Sequence, residues 1–116
     1  MSVIRIVANL AAGDVPGVAA FYQDLLGLNV LMDQGWIMTL GTDTLGPVQL
    51  SVASQGGSGT PVPDLSITVQ DVEDIYAQAI TMGCPITYPL TDEPWGVTRF
   101  FVTDPMGRAI NILAHS

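Results

Sequence analysis

The sequence contains two halves that carry the same signals in the same order, and this repeat limits the folds open to the chain. In the first half Gly13-Asp14-Val15 precedes an apolar run with helical spacing that ends at Gly27. In the second half Gln70-Asp71-Val72 precedes a similar run that ends at Gly83. An Asp at a helix start and a Gly after its end form a common capping pattern. Each half therefore predicts one capped helix.

Extended segments surround each helix, one before it and three after it. The predicted strands are Ile4–Ala11, Leu28–Asp33, Trp36–Leu40 and Pro47–Ala53 in the first half, and Asp64–Gln70, Ile86–Thr91, Thr98–Thr103 and Ala109–Ala114 in the second. The order predicts an α+β fold of two βαβββ modules, residues 1–54 and 63–116, within one domain over 1–116. Residues 55–62, rich in Gly, Ser and Pro, are expected to form a flexible surface connector.

Alternation along the strands assigns their residues to two faces of a sheet. Uniformly apolar positions predict the face that the helices cover: Ile6, Ala8 and Leu10; Val48, Leu50 and Val52; Leu65, Ile67 and Val69; Ile110 and Ile112. The opposite face mixes small apolar residues with short polar ones. It is either an ordinary solvated sheet face or a ligand-binding concavity. We favour the concavity, because Trp36, Met38 and Trp95 lie in neighbouring segments and would wall it.

Composition excludes several functional classes. The net charge is −8, with 11 acidic and 3 basic residues, and a phosphate backbone requires clustered Lys and Arg. The acidity fits either a cationic ligand or simple solubility. The single cysteine, Cys84, excludes a disulfide framework, and we expect a small buried residue rather than a reactive thiol. No apolar run is long enough to span a membrane, and residues 1–10 lack a signal-peptide core, so we expect a cytoplasmic protein.

The local motifs resemble those of the vicinal-oxygen-chelate superfamily, which includes glyoxalases, bleomycin-resistance proteins and extradiol dioxygenases. Asp14-Val15 with 21–28 resembles the helix signature of the first module, and Asp71-Val72 with 83–86 resembles its partner. Pro94-Trp95-Gly96 with 100–108 resembles the terminal strand and turn. The resemblance covers essentially the whole chain. It implies that the two modules form a curled mixed sheet around a cleft that holds a metal or a small ligand.

Metal-dependent members of that family place one ligand on each of four strands, usually His or Glu. Transfer of those positions gives Val7, Gln49, Asp64 and Asn111. Val7 has no donor atom, the two amides are weak ligands, and only Asp64 is a good anionic ligand. The single histidine, His115, is the penultimate residue and is expected to be solvated. We therefore predict that the protein has no metal and no other cofactor.

No catalytic residue is predicted. Ser51 and Ser66 have no His, Lys or Cys in the predicted cleft to activate them as nucleophiles. Asp64 is either a general base or, as we favour, a polar residue at a strand start. The alternative function is that of a glyoxalase-like lyase or isomerase, or of a dioxygenase, with an atypical metal site.

The bleomycin-resistance branch holds its ligand without a metal, through aromatic stacking, amide hydrogen bonds and acidic attraction. The resemblance therefore implies a metal-independent protein that sequesters a hydrophobic or cationic aromatic small molecule, such as an antibiotic. The expected ligand-binding residues are Asn9, Trp36, Met38, Gln49, Asp64, Tyr88, Trp95 and Asn111, with Asp92 and Glu93 near the rim. For the two Trp side chains, packing is the alternative role.

Two further expectations concern an ion pair within the chain and the association of two chains. Arg99 is expected to pair with Asp92 or Glu93 at the surface rather than to meet a ligand carboxylate. A cleft in this family often needs two chains, and the chain is rich in apolar residues, so we expect a symmetric homodimer. No nucleic-acid or membrane partner is expected.

Overall fold

A computed structural model describes residues 3–42 and 49–116, which form two helices and eight strands. The strands are β1 Val3–Ala11, β2 Asn29–Asp33, β3 Ile37–Gly41, β4 Gln49–Ala53, β5 Leu65–Val69, β6 Ile86–Glu93, β7 Val97–Thr103 and β8 Ala109–His115; the helices are α1 Val15–Leu26 and α2 Val72–Thr81. Pro47 and Val48, which were predicted to begin a strand, lie outside the described residues. Within the described ranges, neither helix has the length and apolarity needed to cross a membrane.

The chain divides into two compact units. Unit one, Val7–Val62, has the strand order β2-β3-β4-β1, with β1 and β4 parallel and the other neighbours antiparallel. Unit two, Met1–Ile6 with Pro63–Ser116, has the order β5-β8-β7-β6, with β5 and β8 parallel. The predicted α+β fold of two βαβββ modules is confirmed.

The two helices begin where the repeat predicts, but their starts are capped differently. Asp14 Oδ1 accepts a hydrogen bond from the backbone N–H of Gly17 at 3.0 Å, which satisfies one of the unpaired donors of α1. Asp71 holds the same position before α2, but its side chain makes no capping hydrogen bond. Acidic residues in the first turn of α2, Glu73 and Asp74, face the positive end of the helix dipole.

Each helix packs on its own set of strands. In unit one α1 lies against β3 and β4 and closes a core of Val15, Ala19, Met38, Leu40 and Val52. In unit two α2 lies against β6, β7 and β8 and closes a core of Val69, Val72, Ala79, Phe100, Ile110 and Ile112. The rings of Tyr76 and Phe100 meet edge to face at 4.9 Å between centroids. Burial of these side chains is the main favourable term in the stability of each unit.

The face predicted for the helices is confirmed on β5 and β8 and is wrong on β1. Leu65, Ile67, Val69, Ile110 and Ile112 all belong to the α2 core or pack against it. On β1, by contrast, Ile6 and Ala8 were expected to be covered but are exposed, Ile6 to 54%. Val7, on the opposite face, is 2% exposed. The reason is that α1 packs on β3 and β4 rather than on β1.

The segment 55–62, predicted to be a flexible surface connector, contains a hydrogen-bonded turn. The N–H of Gly56 donates to Thr60 O at 2.7 Å, and both the N–H and the hydroxyl of Thr60 donate to Gly57 O. Gly56 and Gly57 are buried. At Gly56 the missing side chain allows the close approach of Pro61 O and of the Thr60 hydroxyl.

Replacing Gly56 by Ala is expected to lower the free energy of unfolding by about 1–3 kcal/mol, because a methyl group there would clash with Pro61 O and with the hydroxyl of Thr60. Gly13→Ala is the matched control, since a methyl group at Gly13 would meet no atom within 4 Å. Urea unfolding of the two variants measures the difference. Equal free energies of unfolding for the two variants would show that the turn can accommodate a methyl group at position 56 without loss of stability.

The turn before β8 is organised by one carboxylate. Asp104 Oδ1 accepts hydrogen bonds from the backbone N–H groups of Met106 and Arg108, both at 2.9 Å. The hydrogen bond from the Arg108 N–H contributes most, and together these contacts hold the pKa of Asp104 below its usual range. The motif Asp-Pro-Met-Gly-Arg is thus a structural device that leads the chain into β8.

The lowered pKa of Asp104 gives a pH-dependent stability with a defined sign. A carboxyl group whose pKa falls on folding stabilises the protein above its unfolded-state pKa, and this contribution is lost as the pH drops through the folded-state value. We expect Asp104→Asn to flatten the decline in stability between roughly pH 5 and pH 2. Urea midpoints of both proteins across this range provide the measurement. Parallel pH profiles would contradict the assignment.

Candidate functional site

The sheet of unit two has a second face, turned away from α2, which we call the distal face. On β5, β7 and β8 its residues alternate with those of the α2 core, and on β6 an irregularity in the pairing with β7 brings Tyr88 beside Phe101. The residues of this face are Ser66, Thr68, Tyr88, Val97, Arg99, Phe101, Asn111 and Leu113. Their register forms two rows across the sheet. Tyr88, Phe101, Asn111 and Ser66 are successive partners in one row, and Arg99, Leu113 and Thr68 are successive partners in the other.

The distal face has buried apolar side chains although α2 does not cover it. Val97 is 5% exposed, Phe101 3% and Leu113 6%, and none of them belongs to the α2 core. Phe101 packs against the ring of Tyr88 at 5.3 Å between centroids. The second unit therefore has buried apolar side chains on both sides of its sheet.

A buried ion pair lies at one end of this face. Arg99 Nε and Glu93 Oε2 are 2.6 Å apart, and both side chains are 3% exposed. The hydroxyl of Tyr88 donates to the same carboxylate oxygen at 2.9 Å. The expected partner of Arg99 is thus confirmed as Glu93, but the expected surface location is wrong. Burial follows because three aromatic rings pack around the guanidinium.

These rings are Tyr88, Trp95 and Phe101, and their centroids lie 4.8–5.0 Å from Arg99 Cζ. Cations are attracted to the faces of aromatic rings, most strongly when water is excluded. The guanidinium therefore occupies the position that a cationic ligand would take among these rings. Of the sequence-predicted ligand-binding residues, Tyr88 and Trp95 are brought together, but around a residue of the protein itself.

Trp95 is held over Arg99 by the turn between β6 and β7. The loop Pro94-Trp95-Gly96 joins the paired residues Glu93 and Val97, and Gly96 has a φ of 90°, a left-handed value that glycine adopts without strain. The N–H of Gly96 returns to Glu93 O at 3.2 Å. The ion pair and the indole therefore depend on the same hairpin.

Two polar groups on the distal face are buried without a hydrogen-bond partner among the described residues. Asn111 Nδ2 donates to Ser66 Oγ at 3.1 Å, but Asn111 Oδ1 has no donor. Thr68 Oγ1 has no partner either. Thr68 is 4% exposed and Asn111 7%. Buried side-chain polar atoms in folded proteins are nearly always paired, so these two atoms are exceptions that lie on one face of the sheet.

Asp64, the remaining predicted site residue of unit two, has a structural role. It is exposed, its Oδ2 accepts a hydrogen bond from the backbone N–H of Ala109 at 3.0 Å, and its own N–H donates to Ala109 O at 2.8 Å. These bonds fix the start of β5 beside β8. The arrangement agrees with the interpretation of Asp64 as a polar residue at a strand start.

The other predicted site residues belong to unit one, and one of them faces its core. Met38 is 8% exposed and packs with Leu40 beneath α1, so it does not wall a ligand site. Asn9 and Gln49 are half-buried and lie on the face opposite that core, on β1 and β4. Trp36 is half-buried at the start of β3, where its carbonyl accepts the N–H of residue 54 at 2.9 Å.

The comparison with protein families gives one match over nearly the whole chain. The model of the Glyoxalase/Bleomycin resistance protein/Dioxygenase superfamily matches residues 4–112. The chain belongs to this superfamily. No curated protein matches the sequence significantly.

Solved structures agree with membership of the glyoxalase superfamily at the level of the fold. A superfamily member from Vibrio splendidus 12B01 has 19% identity and a TM-score of 0.69, with 95% of this chain and 97% of that chain covered. A protein described as NAD-dependent benzaldehyde dehydrogenase from Legionella pneumophila has 18% identity, a TM-score of 0.78, and coverage of 96% and 99%. Methylmalonyl-CoA epimerase from Mycobacterium tuberculosis has 16% identity, a TM-score of 0.64, and coverage of 99% and 88%. At such identities the likeness concerns the fold alone.

The residues at the four metal-ligand positions do not fit a catalytic metal of the kind that glyoxalases use. Val7 is a buried hydrocarbon, Asp64 is engaged with the backbone of Ala109, and Gln49 and Asn111 offer neutral amides. Zinc, nickel and iron sites need several imidazole, thiolate or carboxylate ligands. In the part of the chain that the structure describes, no three His, Cys, Asp or Glu side chains are grouped to hold a metal ion.

Sequence reasoning missed three residues that define the distal face. Phe101 could have been predicted from the sequence. Two adjacent phenylalanines in a strand point to opposite faces, so when Phe100 lies in the core Phe101 must lie on the other face. Thr68 lies between Ile67 and Val69 in the sequence, so strand alternation places it on the opposite face, but it was not predicted as a site residue. Arg99 was expected at the surface, since a charged residue is rarely buried unless it is paired.

Proposed function

We propose that the protein binds a small, uncharged, hydrophobic or aromatic molecule on the distal face of unit two, without a metal. The observation that carries the proposal is the buried apolar surface of Val97, Phe101 and Leu113 on the side away from α2. Small-molecule sites are mostly apolar, with a few polar groups that orient the ligand. Asn111 and Thr68 supply such groups on the same face.

The charge distribution narrows the class of ligand that the sequence alone left open. A cationic aromatic ligand was one expectation, but the rings that favour a cation already surround Arg99. The charges of Arg99 and Glu93 also offset one another at 2.6 Å. A neutral ligand therefore fits the distal face better than a cation does. The residues at the four metal-ligand positions do not support a metal-dependent lyase, isomerase or dioxygenase reaction.

Titration with two aromatic probes, followed by amide and indole chemical shifts in ¹H–¹⁵N NMR spectra, tests the proposal. Toluene is expected to shift signals of Trp95, Phe101 and Leu113, whereas benzyltrimethylammonium is expected to bind at least about tenfold more weakly. Phe101→Leu should weaken toluene binding, and Phe21→Leu, at a residue that is 57% exposed, is the matched control. Toluene shifts confined to residues outside the distal face would contradict the proposal.

We further propose a symmetric homodimer and retain the cytoplasm as the expected location. The dimer is supported by apolar side chains on α1 that the chain itself leaves uncovered: Phe21 at 57%, Leu25 at 65% and Leu26 at 60% exposed. Exposed apolar patches of this kind commonly mark association surfaces. Sedimentation at micromolar concentration is expected to give a dimer, and a stable monomer would contradict this part of the proposal.

A further inference from the structure

We infer that Asn111 Oδ1 and Thr68 Oγ1 form a polar subsite on the distal face that recognises a hydroxyl or an amide group of an uncharged ligand. The inference rests on the proposed function and adds the chemical class of the ligand. It starts from the two buried side chains that have no hydrogen-bond partner among residues 3–42 and 49–116.

The burial of these atoms is the first step. Thr68 is 4% exposed and Asn111 7%, so water has little access to either side chain. A buried polar atom without a partner loses the hydrogen bonds that it makes to water in the unfolded chain. A ligand group that supplies the missing bond recovers this loss, which makes the pair selective for ligands that carry such a group.

The orientation of Asn111 sets the polarity of the subsite. Its Nδ2 group is engaged by Ser66 Oγ at 3.1 Å, which leaves the carbonyl oxygen as the unpaired end of the amide. A carbonyl oxygen only accepts hydrogen bonds, whereas a threonine hydroxyl both donates and accepts. The ligand must therefore present an O–H or N–H donor to Asn111, and either a donor or an acceptor to Thr68.

The register places the two atoms within reach of one small ligand. Ser66 is the cross-strand partner of Asn111, and Thr68 is the partner of Leu113, so Thr68 and Asn111 are diagonal neighbours on one face of β5 and β8. In this parallel pair a strand spacing of about 4.8 Å and a rise of about 3.3 Å per residue place diagonal neighbours roughly 8 Å apart. Leu113 and Phe101 are the partners of these positions and supply an adjoining apolar surface.

Charge favours an uncharged donor group. A ligand carboxylate would be repelled by the partial negative charge on Asn111 Oδ1, and it could not donate a hydrogen bond to that oxygen. An ammonium group would lose its hydration among the buried apolar side chains of this face, which costs far more than the same loss does for a hydroxyl. Alcohols, phenols and amides satisfy the subsite without either penalty.

The first test compares the stability of two isosteric substitutions and needs no ligand. Thr68→Val removes a buried hydroxyl that has no partner among the residues that the structure describes, and we expect it to raise the Tm by about 2–4 °C. Thr39→Val is the matched control, because Thr39 is also buried but its Oγ1 lies 2.8 Å from Ser51 Oγ. We expect the control to lower the Tm. A lower Tm for Thr68→Val would show that the hydroxyl is paired in the free protein, by water or otherwise, and would overturn the inference.

The second test compares benzyl alcohol with toluene, which has the same ring without a hydroxyl. The wild-type protein is expected to bind benzyl alcohol about tenfold more tightly than toluene, equivalent to one hydrogen bond to a buried partner. Thr68→Val and Asn111→Leu should each reduce this ratio towards one, because toluene has no hydrogen bond to lose.

The outcomes separate the subsite from the proposed function. Toluene binding on the distal face with no preference for benzyl alcohol would overturn the subsite and leave the proposed function standing. A preference that persists in both variants would also overturn it. Failure of both probes to shift signals of the distal face would contradict the proposed function and, with it, this inference.

Discussion

Replacing Arg99 by Met is expected to lower the free energy of unfolding by about 3–5 kcal/mol. The substitution keeps most of the side-chain volume but leaves the carboxylate of Glu93 buried without its cation; both side chains are 3% exposed in the pair. The contacts of the guanidinium with three aromatic rings are lost at the same time. Urea unfolding followed by circular dichroism measures the change.

Two controls isolate the effect of burial. Arg108→Met removes an exposed arginine whose ion pair with Asp104 spans 3.4 Å, and we expect little change in stability. The double variant Arg99→Met with Glu93→Gln removes the unpaired charge and is expected to recover a large part of the loss. If Arg99→Met were no more damaging than Arg108→Met, the buried ion pair would not organise the hairpin of unit two.

Replacing Phe100 by Ala is expected to cost about 3–5 kcal/mol, a large share of the roughly 5–15 kcal/mol that stabilises a typical domain. The side chain of Phe100 is fully buried, at 0% exposure, and it packs in the α2 core against Tyr76. The substitution leaves a cavity that the rigid surroundings fill only in part. Thermal and urea unfolding should show both a lower midpoint and a lower free energy of unfolding.

The matched control for Phe100 is the same substitution at Phe21, which is 57% exposed on α1. Phe21→Ala is expected to change the free energy of unfolding of the separated chain by less than about 1 kcal/mol. Measured at a dilution where any dimer dissociates, a loss at Phe21 as large as that at Phe100 would contradict the assignment of Phe100 to a core and of Phe21 to an exposed position.

Most of the secondary structure follows from local signals in the sequence. The Asp and Gly residues that bound each helix, and the alternation in β5 and β8, predict elements and faces that the structure confirms. These signals are local because caps and strand parity depend on a few neighbouring residues. Met38 lies beneath α1 because it pairs with Val52, which belongs to that core. The register between these two strands could not be predicted from the sequence, so this placement was missed.

The predictions that were wrong concern burial, because they depend on which helices and loops pack over which strands. Ile6 has the pattern of a core residue but is 54% exposed, because the position of a helix over particular strands is a tertiary property. Arg99 has the sequence appearance of a surface residue but is buried among rings contributed by a hairpin and by two neighbouring strands. The unpaired atoms of Thr68 and Asn111 are likewise visible only once cross-strand partners are known.

The central claim is that the distal face of unit two captures an uncharged aromatic molecule without a metal. The most direct measurement uses the Trp36→Phe variant, in which Trp95 is the remaining tryptophan, and follows its emission during titration with benzyl alcohol. The titration is run after EDTA treatment and again with added Zn²⁺ or Mn²⁺. The account predicts the same Kd under both conditions. Binding that disappears with EDTA and returns with a stoichiometric metal ion would contradict it.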